Sequence, residues 1–304
     1  MNRAEAPALK GPFRRIGVVL RRRTPDVPAV LERLVAECDR RGVEVAFEVG
    51  NPNTPADSLR IGSDDAPLDL IVALGGDGTM LRAAALGMEA GTPVLGVNLG
   101  RLGFLTAAPA ARLEQALEQV FSGQAHLDWR FVLQAGVGGA HGGSAGPYLA
   151  LNDIVIHSTG GARVTALRLW VDRAEGPEDI GSFSADGVIL ATPTGSTAYS
   201  LSAGGPILAP GIECVVVTPI CPHSLGVRPL VLPATERILI SALDPDHDLQ
   251  LSVDGRVERA IGPSEHIAVE RAAYRAPLVR LPGQTFLGTL QRKLNWAARP
   301  PERA

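Results

Sequence analysis

Apolar residues along the first hundred positions follow two alternating periods. Ile16-Gly17-Val18-Val19-Leu20 is a short apolar run of strand type. Val27, Val30, Leu31, Leu34, Val35 and Cys38 then recur at the spacing of one helix face. Thr24-Pro25-Asp26 offers capping and turn chemistry ahead of that face, and Gly42 closes it. Residues 43–49 and 68–74 read as a second and a third strand, 79–90 as a helix and 93–99 as a fourth strand. Strands alternating with helices predict a parallel sheet covered by helices, with ligands at the C-terminal strand ends.

The pattern changes near residue 123. After one more helix over 110–121, short strand-like runs dominate: 131–134, 148–156, 166–172, 187–192, 214–218, 237–242, 249–253 and 266–270. Gly, Pro, Ser and Asp separate them, which predicts two packed β-sheets. The Gly-rich stretch 136–146 reads as a mobile hairpin tip. Phe286, Leu287, Leu290 and Leu294 share one face of a last helix, expected to pack on the first domain, and 297–304 is expected to be disordered. The expected fold class is α/β plus all-β. A Rossmann-like α/β domain over 14–122 is rejoined by the helix 284–296, and a β-sandwich domain spans 123–283.

Composition narrows the function classes. The chain has 304 residues, 45% hydrophobic and 20% charged, enough for two domains with real cores. A net charge of −3 argues against a nucleic-acid binder that relies on bulk positive charge. No apolar run approaches the ~20 residues that span a bilayer, and 16–20 is too short for a signal-peptide core. Cys38, Cys214 and Cys221 form neither a metal-ligand spacing nor an even-numbered disulfide framework, so reduced thiols in a cytoplasmic protein are expected. His126, His141, His157, His247 and His266 are scattered without metal spacing, and His223 reads as structural.

Candidate chemistry concentrates in a few segments. Gly75-Gly76-Asp77-Gly78-Thr79 follows the third strand directly. Three glycines in five residues leave room for a phosphate or sugar to approach main-chain N–H groups, and they permit backbone angles that other residues resist. Asp77 is the one charged side chain in the turn and a candidate base. Arg82, five residues on, is placed either to reach a diphosphate or to lie solvated on the helix. Asn152-Asp153 sits inside a strand pattern, where such a pair either ends the strand or faces a ligand. Residues 186–206 deliver a strand into a dense run of hydroxyls and glycines, suited to a hydrogen-bonding ligand such as a nucleoside, with Tyr199 able to stack on a flat ring. The glycines at 96, 100 and 103 do not spell the dinucleotide fingerprint, and the Walker A pattern is absent, which disfavours an ordinary Rossmann dehydrogenase.

Taken together, Gly-Gly-Asp-Gly-Thr (75–79), Leu-Gly-Phe-Leu-Thr (102–106), Asn-Asp (152–153), the run from Thr192 to Pro206 and Pro-His-Ser-Leu-x-x-Arg-Pro-Leu-Val (222–231) resemble the bacterial NAD kinases over most of residues 14–296. The first motif is shared with lipid kinases and phosphofructokinases; the run at 192–206 is specific. The resemblance implies phosphoryl transfer from ATP or polyphosphate, with a divalent metal, usually Mg²⁺, to the adenosine ribose 2′-hydroxyl of NAD. It also implies a homodimer or homotetramer. Carried over residue by residue, it makes Asp77 the proton acceptor and Gly75, Gly76, Gly78 and Thr79 the phosphate-donor loop. NAD contacts fall on Asp77, Gly78, Arg82, Asn152, Asp153, Arg163, Asp186, Thr197, Ala198, Tyr199, Ser200, Leu201, Ser202 and Arg256. Asp153 stands where the family more often has Glu, Ser184 where a basic residue is common nearby, and Arg256 where Gln is expected. The alternatives are a lipid or sugar kinase built on the same glycine turn, and an NAD-binding sensor without catalysis.

Overall fold

The protein is described by a computed structural model, covering residues 7–22, 25–56, 58–62, 66–100, 103–139, 144–158, 164–243, 249–262 and 264–295. The chain divides into two units, one of residues 1–129 and 276–304, the other of residues 130–275. In the first, β1 (Arg15–Leu20), α1 (Val27–Asp39), β2 (Glu44–Phe47), β3 (Leu59–Arg60), β4 (Leu70–Leu74), α2 (Asp77–Gly87), β5 (Val94–Asn98), β6 (Ala108–Pro109) and α3 (Leu113–Phe121) follow in order. Every strand pairing among them is parallel: β1 with β2 and β4, β4 with β5, β2 with β3, β5 with β6. All residues of β1, β4 and β5 are buried, as central strands covered on both faces must be. Alternation decides which helix each residue meets. Ile16, Val18, Leu20, Val72 and Val97 join the apolar faces of α1 and α3 in one core. On the other face, a side-chain carbon on Gly96 would meet Met80 of α2, and one on Gly87 of α2 would meet Ile71.

The helix expected over 79–90 begins two residues early, with Gly76 as its N-cap. Asp77 therefore lies in the first helical turn rather than in a loop. Gly75, Gly76 and Gly78 are not among the glycines with positive φ, so this turn requires space rather than left-handed backbone. Asp26, read as part of a cap, makes no side-chain capping bond to α1.

The second unit is antiparallel and contains β7 (His126–Gly139, from Arg130 on), β8 (Ser144–Ala150), β9 (Asp153–Ser158), β10 (Thr165–Val171), β11 (Glu178–Ala185), β12 (Gly187–Ala191), α4 (Tyr199–Ser202), β13 (Cys214–Ile220), β14 (Leu230–Pro233), β15 (Ile238–Ala242), β16 (Leu249–Val253), β17 (Arg256–Ile261) and the start of β18 (Glu265–Arg280). One sheet runs β14-β13-β12-β9-β16-β17; β11, β10, β15 and β18 pair in that order in the other. Ile154, Ile156, Val188, Leu190, Val215 and Leu251 from the first meet Leu133, Leu167, Leu169, Ile238, Ile240, Ile267 and Val269 in one buried core. This is the sandwich the spacing predicts.

Five strands fall outside the predicted runs: β3, β6, β11, β14 and β17. β3, β11, β14 and β17 are terminal in their strand order and β6 pairs only with β5, so part of each is solvated. The strand expected over 148–156 is two strands, interrupted at Leu151 and Asn152. The tip of the 136–146 stretch and the tail 297–304 fall partly or wholly outside the described residues.

From Ala276 on, β18 belongs to the first unit, where Leu278 pairs in parallel with Val94. The closing helix α5 (Phe286–Leu294) also belongs there, as expected. Thr285 caps it by accepting the Gly288 N–H at 3.1 Å. Its apolar face is only partly covered: Leu290 is buried, whereas Leu287 and Leu294 are exposed.

Candidate active site

In the first unit the glycine turn joins the C-terminal end of β4 to α2, beside the end of β5. There Asp77 is held by a segment far away in sequence. Its Oδ2 accepts the Phe104 N–H at 3.0 Å, and its Oδ1 accepts the Leu105 N–H at 3.1 Å. The Lys293 ammonium of α5 lies 3.4 Å from Oδ2. The carboxylate thus sits at a helix N-terminus and is held by two amide donors and a cation. Gly103 makes this possible, because a side-chain carbon there would collide with the Asp77 carboxylate. Gly76 and Gly78 face open space, where a side-chain carbon would meet nothing within 4 Å, while Gly75 is packed against the buried Thr79.

Arg82 is not solvated on the helix. Its guanidinium Nε bonds Glu48 Oε1 at 2.9 Å, and its Nη2 donates to the Leu20 carbonyl at 2.8 Å. Asn51, buried beside it, donates to the same carbonyl at 2.6 Å and to Glu48 at 3.2 Å. Arg82 is therefore fixed by an ion pair at the C-terminal end of β1 rather than free in solvent.

In the second unit Asn152 and Asp153 are organised by Asp254, at the hairpin between β16 and β17. The Asp254 carboxylate accepts the N–H groups of Leu151 (3.0 Å), Asn152 (2.7 Å) and Asp153 (3.2 Å). The Asn152 carbonyl accepts the Thr192 N–H at 2.9 Å, so the main chain is pinned on both sides. Among the described residues the Asn152 side-chain amide has no hydrogen-bond partner, which leaves it available to a ligand. Asp153 is 5% exposed, and burial, with the nearby Asp254 carboxylate, pushes its pKa up to about 7. Burial also raises that of Asp254, opposed by the three amide donors. The strand thus breaks at the polar pair and leaves one member free.

The hydroxyl-rich segment is mostly self-satisfied. Thr192 donates to the Leu151 carbonyl at 2.6 Å, Ser196 to the Pro193 carbonyl at 2.7 Å, and Thr197 to the Thr194 carbonyl at 3.2 Å. Ser200, expected to face NAD, is fully buried and shares a 2.9 Å hydrogen bond with Thr218. Its hydroxyl holds the loop instead. Gly195 lies so close to the Asn152 carbonyl that no larger residue fits. These bonds fold the segment so that Thr197, Ala198 and Leu201 are partly open and Tyr199 and Ser202 are exposed. Asp186 and Arg256 are exposed, and Arg163 lies outside the described residues.

Sequence reasoning missed Asp254, Lys293, Glu48 and the amides of 104 and 105. One of these had a signal: Asp254-Gly255 follows the 249–253 strand, and both residues have positive φ (+48° and +76°), the two-residue hairpin turn that Asp-Gly favours. The other contacts join residues 27 to 216 positions apart and leave no local trace.

Two family models match the chain, the ATP-NAD kinase N-terminal domain over residues 56–125 and the ATP-NAD kinase C-terminal domain over 151–281. An NAD kinase of Gemmatimonas aurantiaca is 42% identical over 93% of this chain and 96% of its own length. One of Syntrophotalea carbinolica is 40% identical over 94% of this chain and 100% of its own length. The chain belongs to the NAD kinase family. Two solved members share its fold. Yeast NADH kinase complexed with NADH matches at TM-score 0.85 and 27% identity, covering 96% of this chain and 90% of that one. The NAD kinase of Archaeoglobus fulgidus in complex with ATP matches at TM-score 0.69 and 28% identity, covering 92% and 98%. Membership across both units makes the chain an NAD kinase enzyme and sets aside the lipid- or sugar-kinase and sensor alternatives. Among the described residues no helix is long and apolar enough to cross a membrane.

Proposed function

We propose that Asp77 orients the adenosine ribose 2′-hydroxyl of NAD and accepts its proton while the terminal phosphoryl group of ATP transfers to that oxygen. The O–H bond breaks toward Asp77, the new P–O bond forms, and ADP leaves with the electrons of the old P–O bond. One observation carries this: Asp77 is the acid of an open glycine turn, and its carboxylate is fixed by two amides and a lysine. A ribose hydroxyl is a poor nucleophile near neutral pH, and a placed carboxylate accelerates such a step by roughly 10²–10⁴-fold. The open faces of Gly76 and Gly78 support passage of a phosphate chain along the helix N-terminus.

Asn152 and Asp153 are the proposed NAD-binding pair, with Thr197, Ala198, Tyr199, Leu201 and Ser202 along the adenosine. The NADH and ATP named in the two solved relatives support these substrate assignments. Among the described residues no three His, Cys, Asp or Glu side chains form a metal cluster. The proposed ion is Mg²⁺, which keeps several waters and binds mainly through substrate phosphates. When bound, the ion would neutralise charge on the phosphates. Homodimeric or homotetrameric assembly and a cytoplasmic location complete the reading.

The test is NAD with MgATP, followed by an NADP-specific dehydrogenase. The wild-type chain should form NADP, and Asp77→Asn should lose about 10²–10⁴-fold in kcat while binding NAD within a few-fold of wild type. Near-full kcat in the Asn variant would sink the base assignment.

A further inference from the structure

Lys293 lies in the last turn of α5. Its ammonium lies 3.4 Å from Asp77 Oδ2 and 4.5 Å from the centroid of the Phe104 ring. Phe104 therefore serves both partners: its N–H bonds the carboxylate at 3.0 Å, and its ring faces the ammonium. The helix that brings Lys293 here is fixed on the same segment. Phe286 packs its ring 6.4 Å from Phe104, Leu290 is buried, and the Gln284 side chain accepts the Leu281 N–H at 3.1 Å and donates to the Ala107 carbonyl.

Stability does not account for this arrangement. The lysine and aspartate side chains remain 33% and 30% exposed, and an ion pair so solvated contributes little. Charge does account for it. A polyphosphate donor entering the glycine turn meets the Asp77 carboxylate, a like charge that repels it. Arg82, the arginine of α2, is already paired with Glu48 and bonded to the Leu20 carbonyl. Lys293 can offset that charge, and an ammonium has three donors, so contact with Asp77 leaves capacity unused.

We propose that Lys293 is a positioning residue that fixes the Asp77 carboxylate and screens its charge, so that the phosphoryl donor can approach. The proposal rests on the reading of Asp77 as proton acceptor. It predicts that the effect of Lys293 on donor binding runs through Asp77.

The experiment is a double-mutant cycle on the full chain, read by calorimetric titration of MgATP and by steady-state kinetics. Lys293→Met should weaken MgATP binding about tenfold and lower kcat by about 10–100-fold, with the KM for NAD within about twofold and an unchanged melting midpoint. Lys293→Arg, which keeps the charge, should restore binding to within about threefold of wild type. In the Asp77→Asn background, where no carboxylate needs screening, Lys293→Met should leave MgATP affinity unchanged. An equal loss in both backgrounds would make Lys293 a direct phosphate ligand and overturn the positioning role, as would wild-type behaviour of Lys293→Met. Retained kcat in Asp77→Asn overturns the base assignment instead, and the binding cycle distinguishes the two failures.

Discussion

Two glycines near Asp77 separate packing from ligand access. A methyl group on Gly103 would run into the Asp77 carboxylate, so Gly103→Ala should displace it and cost about 1–3 kcal/mol of stability as overpacking does, with a large loss of kcat. A methyl on Gly78 meets nothing within 4 Å, so Gly78→Ala should melt like wild type yet raise the KM for ATP if the phosphates pass along this face. Thermal melts beside donor KM values check both. The sequence marked both glycines as members of conspicuous motifs, but it could not say which one makes room for protein and which for ligand. That difference depends on Asp77 turning toward residues 103–105.

At the scale of elements, the hairpin between β16 and β17 inserts Asp254 beneath the break between β8 and β9 and leaves Asp153 buried next to it. Asp153 has a folded pKa raised to about 7 from an ordinary 3.8. In the unfolded chain it ionises near 4, while in the folded chain it holds its proton until about 7. The folded state therefore binds more protons between those values, and stability falls as pH rises from about 4 to about 7. Asp153→Asn should flatten this slope and raise the melting midpoint at pH 8 relative to wild type, with little change at pH 4. Melting curves across that range measure it, and an unchanged slope would show that Asp153 is not the responsible group. The α5 helix is the other element whose placement matters, because its one buried leucine and the Phe104–Phe286 contact carry Lys293 to the glycine turn.

At the scale of the whole molecule, two units of different architecture are threaded by one chain that leaves the first in β7 and returns in β18. Exposed apolar residues such as Ile212, Leu225, Val231 and Val257 remain on the second unit. The proposed assembly is a homodimer or homotetramer. Light scattering behind size exclusion should give a mass of two or four chains. A monomer at micromolar concentration would contradict that expectation.

The sequence by itself determined the period of each buried element, and so the parallel α/β unit, the antiparallel sandwich and the closing helix. A core strand or helix must write its burial into local spacing. It also determined the glycine turn, the Asn-Asp pair and the hydroxyl-rich segment, because such residues are costly in regular structure without a reason. Only the tertiary structure decided what those residues touch. Arg82 pairs with Glu48, Ser200 turns inward to Thr218, Asp254 gathers three amides, and Lys293 reaches Asp77 across 216 positions. Contacts between distant segments are set by how packed layers bring strand ends and loops together, and no local period records them.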